Sequence, residues 1–525
     1  MTAQCLADVF LGAVAAAPDR TCLHRQIGEH ATQTTYLELA RRVAGVIGAL
    51  DRAGIGEGRR VVCFLDDVPD AILFALACAH NGVTAVPLDP RASTGALHRI
   101  VERTDAAAVF TRLEHADQLG ALAVPALVWT PMPVPAGITN LRGEPPEVGD
   151  ALAVLEARKA PAGSLYVIQP TSGTTGEPKL MLRTQRPFLR IGKLWSFPQA
   201  NALAHQRRLM VHPLTHGTGV LDLWSGIAAT AELCLPSRPN VEAPLDEVRA
   251  LDPDVMTMVP RILRSLHRQQ LATNEPPGTR LFGPSARVLT FGGAPCEPEL
   301  QAMVIAQGVE VVEVYGTSET GVLVMTPPDE RRPGWAGKPF DDVELKLDTD
   351  GELLARTPCM MEGYLGDAQQ TGDSLDPDGF YRTGDYGELD AGWVKILGRK
   401  KDVFNTATGN NIFPARMEGM LEQLAGVQQA VLIGDARPFV TALLVLDHRD
   451  QLGAIVEQIR ALNARLEDEE RIRRLAVLDT ALESDLYRSV GHGKVRRERK
   501  LIEERFAELV VALYAAPPPS GVVVV

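Results

Sequence analysis

The residues with the clearest capacity for chemistry lie in one polar segment that follows an apolar, strand-like run at 166–168. The segment consists of Thr171, Ser172, Gly173, Thr174, Thr175 and Gly176, and a single lysine, Lys179, comes three residues later. Glycines let the main chain curl so that its N–H groups converge, while the hydroxyls and the ammonium add further donors. The pattern therefore predicts a loop that binds a polyphosphate, although it is not a Walker A sequence. Taken alone, it is also compatible with an ordinary polar loop between two strands.

Further motifs follow this loop in a fixed order. They are GGAP at 292–295, YGTSETG at 315–321, GEL at 351–353, YRTGD at 381–385, GRKKD at 398–402 and GK at 493–494. Together with TSGTTGEPK at 171–179, they resemble the adenylate-forming superfamily of acyl-CoA synthetases, adenylation domains and luciferases. The resemblance spans nearly the whole chain and implies an AMP-binding enzyme that uses ATP and Mg²⁺.

Adenylation joins a carboxylate to the α-phosphorus of ATP, so the protein must hold two anions together and screen their charge. The resemblance implies that Lys494 contacts both anions, that Glu319 is the Mg²⁺ ligand, and that His216 lies where the carboxylate enters. These three residues are the expected catalytic set. Without the other motifs, Lys494 would be read as part of a basic patch and His216 as a structural histidine.

The nucleotide contacts implied by the resemblance fall on the later motifs. Asp385 would accept hydrogen bonds from both ribose hydroxyls, and Arg399 would support the same sugar. Tyr315 and Gly316 would form a wall against the adenine, and Thr317 would contact the α-phosphate. The small residues Gly292, Gly293 and Ala294 would let the base or the acyl chain approach closely. Considered singly, Asp385 and Arg399 are also typical halves of surface ion pairs.

The position after His216 bears on the substrate. Amino-acid-activating members of the superfamily carry an aspartate there, whereas this chain has Gly217. An α-ammonium would be buried without a partner, so we expect a fatty or aryl acid that lacks an α-amine. The apolar stretch 220–229 is compatible with an acyl pocket or with the core. Gln185 stands where the superfamily commonly has a histidine.

The elements that must position these residues alternate between strands and helices. Strands are expected at 61–65, 84–88, 106–111, 288–291 and 309–315, with a helix at 71–80. The alternation predicts a layered α/β fold with mostly parallel sheets, in which the motifs gather at the carboxyl ends of strands. The proline-rich segment 125–146 is expected to be a surface connection.

The clearest joint in the sequence is GRKKD. We expect an AMP-binding domain at 1–398, a small mobile α+β domain at 399–514, and a disordered tail at 515–525. The resemblance assigns the hinge to Lys401 and the path of the thiol acceptor to the loop at Gly409. Domain motion of this kind lets one site serve two half-reactions.

Composition limits the remaining possibilities. A chain of 525 residues is expected to form more than one domain, and a formal charge of −13 argues against nucleic acid as a partner. Seven scattered cysteines without a pairing pattern are typical of reduced thiols in a cytoplasmic protein. We expect no signal peptide and no membrane span.

Three functions remain compatible with the sequence. The first is an acyl-CoA synthetase that activates a small-molecule carboxylic acid and transfers it to coenzyme A. The second is a stand-alone adenylating enzyme that loads a phosphopantetheinyl acyl carrier protein in trans. The third, a catalytically silent nucleotide-binding protein, is disfavoured because Lys179, Glu319, Asp385 and Lys494 are all present.

Overall fold

The computed structural model describes residues 3–525 apart from 66–67, 120–121, 123, 136, 143–144, 172–177, 195–205, 274, 277, 294–297, 328–329, 333, 484–485 and 490–494. The chain forms two compact units. The first comprises Met1–Arg332, Ala336–Glu344 and Arg356–Tyr381, and the second comprises Pro333–Trp335, Leu345–Ala355 and Arg382–Val525. The layered α/β class predicted from the sequence is confirmed. The domain boundary at 398 stays a prediction.

The described strands are β1 Thr21–Ile27, β2 His30–Thr35, β3 Arg60–Phe64, β4 Thr84–Leu88, β5 Ala108–Thr111, β6 Ala126–Val128, β7 Ile138–Asn140, β8 Leu165–Thr171, β9 Lys179–Thr184, β10 Arg207–Leu209, β11 Glu232–Leu235, β12 Val255–Met258, β13 Val288–Phe291, β14 Glu310–Thr317, β15 Gly321–Met325, β16 Lys338–Pro339, β17 Glu344–Leu347, β18 Glu352–Arg356, β19 Gly363–Tyr364, β20 Tyr381–Asp390, β21 Trp393–Arg399, β22 Phe404–Asn405, β23 Asn411–Ile412, β24 Val427–Ile433, β25 Val440–Leu446, β26 Ile472–Val477, β27 Tyr487–Ser489, β28 Val495–Arg497 and β29 Val522–Val524.

The described α-helices are α1 Leu6–Ala16, α2 Tyr36–Arg52, α3 Val68–Asn81, α4 Thr94–Arg103, α5 Val148–Ala157, α6 Arg186–Leu194, α7 Gly217–Ala228, α8 Leu245–Leu251, α9 Pro260–Ala272, α10 Pro298–Ala306, α11 Ala368–Asp373, α12 Pro414–Glu422, α13 Leu452–Asn463, α14 Arg499–Arg505 and α15 Ala507–Tyr514. Short 3₁₀ turns lie at Leu113–Leu119, Asn240–Glu242, Lys400–Asp402 and Arg449–Gln451.

Two large sheets build the first unit. One has the order β16-β15-β14-β13-β12-β10-β11-β1-β2, and the other has the order β19-β9-β8-β4-β3-β5-β6-β7. Pairing is parallel from β1 through β11, β10, β12 and β13 to β14, and from β8 through β4, β3, β5 and β6 to β7. Strands buried on both faces are usual in such sheets, which explains their apolar sequences.

Helix α7 contacts strands of both sheets. Trp224 donates its indole N–H to the hydroxyl of Tyr166 on β8 at 3.1 Å. On another side of the helix, Asp222 faces Arg208 of β10. Gly226 lets the helix approach, because a Cβ there would lie 2.4 Å from the Leu233 side chain and 3.3 Å from Arg208 Cδ. This helix begins at the predicted gate residue, so its placement matters for the site.

The strands that carry the glycine motifs end at the same edge of one sheet. Strands β12, β13 and β14 are parallel neighbours, and Thr257 is paired with Thr290 across β12 and β13. Gly292 directly follows β13, and β14 extends to Thr317. The expectation that strands deliver these motifs to a common edge is met by β13 and β14.

Two sequence expectations differ from the structure. The segment 125–146, expected as a surface connection, contains the short strands β6 and β7, which extend one sheet by parallel pairing. The tail 515–525, expected to be disordered, ends in β29, which pairs antiparallel with β26. Prolines predicted loops in both places, but short runs with β-branched residues next to them pair at the edges of existing sheets.

The second unit contains two four-stranded sheets and small hairpins. The sheet orders are β17-β18-β20-β21 and β24-β25-β26-β29, and β22 pairs with β23. Its main core includes Phe404, Met417, Leu421, Ile455 and Ile459, which come from β22, α12 and α13. The unit thus has a hydrophobic core of its own, and its mixed strands and helices agree with the small α+β domain expected there.

Candidate active site

The predicted phosphate loop connects the two strands of an antiparallel hairpin. Thr171 at the end of β8 and Lys179 at the start of β9 are directly paired. The Thr171 hydroxyl is buried and finds no hydrogen-bond partner in the part of the chain that the structure describes. Ser172, Gly173, Thr174, Thr175 and Gly176 lie outside the described residues. The hairpin therefore holds the lysine beside a hydroxyl group that is available to a ligand.

A tyrosine that was not predicted joins the phosphate-loop lysine to the predicted metal ligand. Lys179 Nζ lies over the ring of Tyr364, 4.9 Å from its centroid. The Tyr364 hydroxyl donates to Glu319 Oε1 at 3.0 Å. Burial, together with the nearby Glu319 charge, raises the pKa of Tyr364 well above its ordinary value, so the phenol retains its proton. We call Lys179, Tyr364 and Glu319 the anion-screening row.

The loop that carries Glu319 is fixed by backbone contacts. Met361 donates its N–H to the Glu319 carbonyl oxygen at 2.7 Å. The hydroxyls of Thr317 and Thr320 lie 3.0 Å apart, and each accepts from the other's backbone N–H at 3.2 Å. A Cβ on Gly316 would stand 2.0 Å from the Gly321 oxygen, so only glycine fits there. The carboxylate is half-buried and its hard oxygens are of the kind that Mg²⁺ prefers, so this residue fits the expected ion.

The glycines after β13 have a demonstrable steric role. A Cβ on Gly292 would lie 2.9 Å from Val314 Cγ2 of the neighbouring strand. Gly293 adopts a φ of +79°, which favours glycine. Ala294 lies outside the described residues. The chain therefore turns tightly beside Tyr315, which stays a predicted part of the adenine wall.

His216 is the N-cap residue of α7. Its Nδ1 accepts a hydrogen bond from the Thr218 N–H at 3.1 Å, and its ring stacks on His212 with centroids 5.7 Å apart. The cap satisfies a backbone donor that the helix cannot satisfy internally. A Cβ on Gly217 would lie 3.4 Å from Gln169 Oε1. The gate role of His216 stays a prediction, and the structure gives this residue a structural task as well.

An apolar cavity of about 50 Å³ lies next to the start of α7. Its walls include Leu214, Thr215 and Val220, opposite Ala85 and Val167 of the other sheet. The rest of the apolar stretch on α7, such as Leu223 and Trp224, belongs to the main hydrophobic core. Val220 lines the cavity and belongs to the same core, so the core interpretation applies to most of 220–229 and an acyl pocket at Val220 stays a prediction.

Five predicted residues belong to the second unit. The buried Asp385 and the exposed Arg399 are paired across β20 and β21, with Arg399 Nε 3.0 Å from Asp385 Oδ1. Lys401 is exposed in a 3₁₀ turn, and Gly409 adopts a φ of +85° in an exposed turn between β22 and β23. The predicted catalytic Lys494 lies outside the described residues. Asp385 and Arg399 do meet, but their ribose-binding role and the other assignments stay predictions.

The side chain of Gln185 makes buried hydrogen bonds within the core. Its side-chain oxygen accepts from the Leu6 N–H at 2.9 Å, and its amide donates to the Ala79 carbonyl at 3.1 Å. The residue is buried and ties β9 to α1 and α3. The departure from the superfamily's histidine at this position therefore corresponds to a packing role.

Buried arginines were also missed by sequence reasoning. Arg183 of β9 is 1% exposed, and its Nε and Nη2 have no hydrogen-bond partner among the described residues. Its guanidinium lies over the Phe188 ring at 5.1 Å. The sequence signal available for Arg183 was the alternation of residues along β9. It places Arg183 on the same face as Lys179 and Met181. No local pattern marked Tyr364.

Comparison with known proteins identifies the family. The AMP-binding enzyme family matches residues 10–365, and its C-terminal domain matches residues 401–517. The chain belongs to the AMP-binding enzyme family. A Mycobacterium tuberculosis coenzyme A ligase, named for a propanoyl group bearing a methylated dioxo-octahydroindenyl ring, is 30% identical over 81% of this chain and 86% of its own.

A second relative is the M. tuberculosis medium/long-chain-fatty-acid–acyl-carrier-protein ligase, which is 27% identical over 79% of each chain. Among solved structures, the adenylation domain of the Segniliparus rugosus carboxylic acid reductase superposes with a TM-score of 0.74 at 18% identity, covering 98% of this chain and 94% of that one. The fold is thus that of adenylate-forming enzymes. No described helix combines the length and apolar character needed to cross a bilayer.

Proposed function

We propose that this chain is an AMP-forming acid–thiol ligase, which activates a carboxylic acid with ATP and transfers the acyl group to the thiol of coenzyme A. Its family membership and its coenzyme A ligase relative support the reaction class. The observation that carries the proposal is the anion-screening row, which links the lysine of the phosphate hairpin to a carboxylate within one connected set of contacts.

The reaction requires two anions to approach each other, and this chain's residues are suited to that task. Lys179 supplies a positive charge at the mouth of the hairpin, and Thr171 adds a hydroxyl donor beside it. Tyr364 holds Glu319 by a hydrogen bond, leaving the second carboxylate oxygen to a ligand. A Mg²⁺ ion held by Glu319 would neutralise charge on the phosphates of bound ATP.

The remaining catalytic assignments rest on the resemblance. Lys494 is proposed to contact both reacting anions, and Asp385 with Arg399 to bind the ribose. His216 is proposed to contact the entering carboxylate, while Lys401 is the proposed hinge and Gly409 the proposed start of the thiol path. Removing a donor such as Lys494 should lower the adenylation rate by roughly 10²–10³-fold, as for other donors that stabilise transition-state charge.

The substrate is proposed to be an acid without an α-amine. The side-chain space at Gly217 meets the neutral amide of Gln169, whose Nε2 donates to the Thr215 carbonyl at 3.3 Å. A neutral amide does not compensate an α-ammonium group buried beside it. The acids in the names of the two relatives, a ring-bearing propanoic acid and fatty acids, carry no α-amine either.

A second candidate acceptor is the phosphopantetheine arm of an acyl carrier protein, favoured by the carrier-protein ligase among the relatives. Incubation with ATP, Mg²⁺, a fatty, aryl or amino acid, and both coenzyme A and a carrier protein bearing phosphopantetheine, followed by mass analysis, separates the possibilities. An acyl-CoA product supports the main proposal, whereas acylation of a carrier protein without acyl-CoA supports the second. ATP binding without pyrophosphate release from any acid would contradict both.

A further inference from the structure

A buried polar cluster lies between α7 and the sheet that carries the glycine motifs. Its members are Arg208 on β10, Asp222 on α7, Thr257 on β12 and Thr290 on β13. Arg208 and Asp222 are only 1% and 2% exposed, and the closest approach of their charged groups is 3.6 Å. That separation is too long for a hydrogen bond, so the two groups face each other without direct bonding. The four residues are called the inner polar cluster below.

Most polar atoms of this cluster have no partner. Within the described chain, Arg208 Nε and Nη1, Asp222 Oδ2 and the Thr290 hydroxyl make no hydrogen bond, and the Thr257 hydroxyl lies near Asp222 without a hydrogen bond of ordinary geometry. Burial raises the pKa of Asp222 to about 7, although Arg208 and the Thr257 hydroxyl act in the opposite direction. Native proteins rarely leave so many buried polar atoms unsatisfied at one place unless a ligand or ordered water completes them.

The inner polar cluster lies inward from His216, where the carboxylate is predicted to enter. Thr290 is paired with Thr257 on the neighbouring strand and lies two residues before Gly292, which directly follows β13. Asp222 follows Gly217 by five residues, which corresponds to about 7.5 Å along the helix axis. Polar groups therefore lie buried between the helix and the sheet, inward from the glycine motif.

The Arg208 side chain fits between α7 and the sheet because a glycine faces it on α7. Gly226 lies one turn after Asp222, and a Cβ there would be 3.3 Å from Arg208 Cδ. Arginine keeps its charge when buried and donates several hydrogen bonds in a fixed plane. Two guanidinium nitrogens of Arg208 are therefore available to donate to an acceptor oxygen.

We propose that the inner polar cluster binds an acceptor oxygen on the acyl part of the substrate acid, a carbonyl or a second carboxylate. This inference rests on the proposed function and narrows its substrate class from fatty or aryl acids in general to acids that carry such an oxygen. Arg208 donates to that oxygen, and the Thr257 and Thr290 hydroxyls complete its surroundings. A plain alkyl chain in the same place leaves these buried groups without partners, which is a strong basis for discrimination.

The test uses the full-length protein and three acids of equal chain length: octanoate, 7-oxooctanoate and suberate. Initial rates of pyrophosphate release give kcat/KM for each acid, and the oxo acid and the diacid separate the two sources of the oxygen. We expect at least one oxygenated acid to exceed octanoate by about 10- to 100-fold, as sites built to hydrogen-bond a substrate do. In Arg208→Met, we expect that preference to disappear through the KM of the acid, with the KM of ATP unchanged.

Matched variants separate binding from folding. Arg207→Met changes the neighbouring arginine, which is paired with Asp252 on the opposite face, and should leave the preference intact. If Arg208→Met does not fold, Arg208→Met/Asp222→Leu removes both charges together, a change that buried pairs often tolerate. Thr290→Val, which deletes one oxygen with little change of shape, should weaken the preference without abolishing activity.

The outcomes are distinguishable. Equal kcat/KM for all three acids in the wild type, or an equal loss for all three in Arg208→Met, would overturn the inference and leave internal water as the partner of the cluster. Such a result would leave the proposed ligase activity standing. No pyrophosphate release with any acid would instead overturn the proposed function, and this inference with it.

Discussion

At the scale of single residues, the site depends on the contacts that connect the Lys179 ammonium to the Glu319 carboxylate. Lys179 and Glu319 belong to recognisable sequence motifs, whereas Tyr364, which lies between them in the structure, does not. Tyr364 joins the two through its ring face and its hydroxyl. Its position beside them follows from the pairing of β19 with β9, a contact between residues far apart in the chain. Sequence reasoning recovers residues that share a motif, whereas such bridging residues depend on tertiary structure.

Replacing Tyr364 tests the link directly. Tyr364→Phe retains the ring beneath Lys179 but removes the hydrogen bond to Glu319. Hydrogen bonds to charged groups contribute about 1.5–3 kcal/mol, so kcat/KM for pyrophosphate release should fall roughly 10- to 100-fold. Tyr364→Leu, which also removes the ring, should be less active still. Wild-type kinetics in the phenylalanine variant would show that the hydroxyl does not position the carboxylate.

At the scale of elements, regular apolar runs were predictable and polar burial was not. Strands β4 and β13 have the expected bounds because their runs are continuous and apolar, as buried parallel strands require. The C-terminal valines were misjudged because their partner, β26, lies about 50 residues earlier in the sequence. The burial of Arg208 and Asp222 likewise depends on the packing of α7 against a distant strand.

Helix α7 gives a prediction about its N-terminus. Because His216 caps the helix, His216→Ala should lower the free energy of unfolding by about 0.5–2 kcal/mol. His216→Asn restores a capping oxygen and should regain most of that stability. Chemical denaturation measures both variants. If the asparagine variant is stable yet has a raised KM for the acid, the gate role is separated from the cap. Equal stability of wild type and His216→Ala would contradict the capping role.

The same helix predicts a dependence of stability on pH. Burial raises the pKa of Asp222 to about 7, above the value near 3.9 expected for an unfolded chain. The native state therefore binds a proton that the unfolded state has released, and this group's contribution to stability falls as the pH rises from about 4 to 7. Asp222→Asn should become more stable relative to the wild type over that interval. A constant difference between the two proteins would contradict this account.

At the scale of the whole molecule, the chain forms two units with separate cores, and family matches cover both. The motif order and the layered class were predictable because glycine, hydroxyl and lysine patterns mark ligand-binding loops after apolar strands. Substrate choice was not, since we propose that it depends on side chains such as Arg208, which only tertiary packing brings beside Asp222 of α7. The expected cytoplasmic location, the hinge at Lys401 and the role of Lys494 stay predictions.

The most direct test of the account is the acid-dependent exchange of labelled pyrophosphate into ATP, because it reports formation of the acyl-AMP alone. We expect exchange that requires both Mg²⁺ and a carboxylic acid without an α-amine, and that falls by roughly 10²-fold or more in Lys179→Ala. Exchange supported only by amino acids would contradict the assignment of Gly217. A protein that binds ATP by calorimetry yet gives no exchange with any fatty, aryl or oxygenated acid would contradict the central claim.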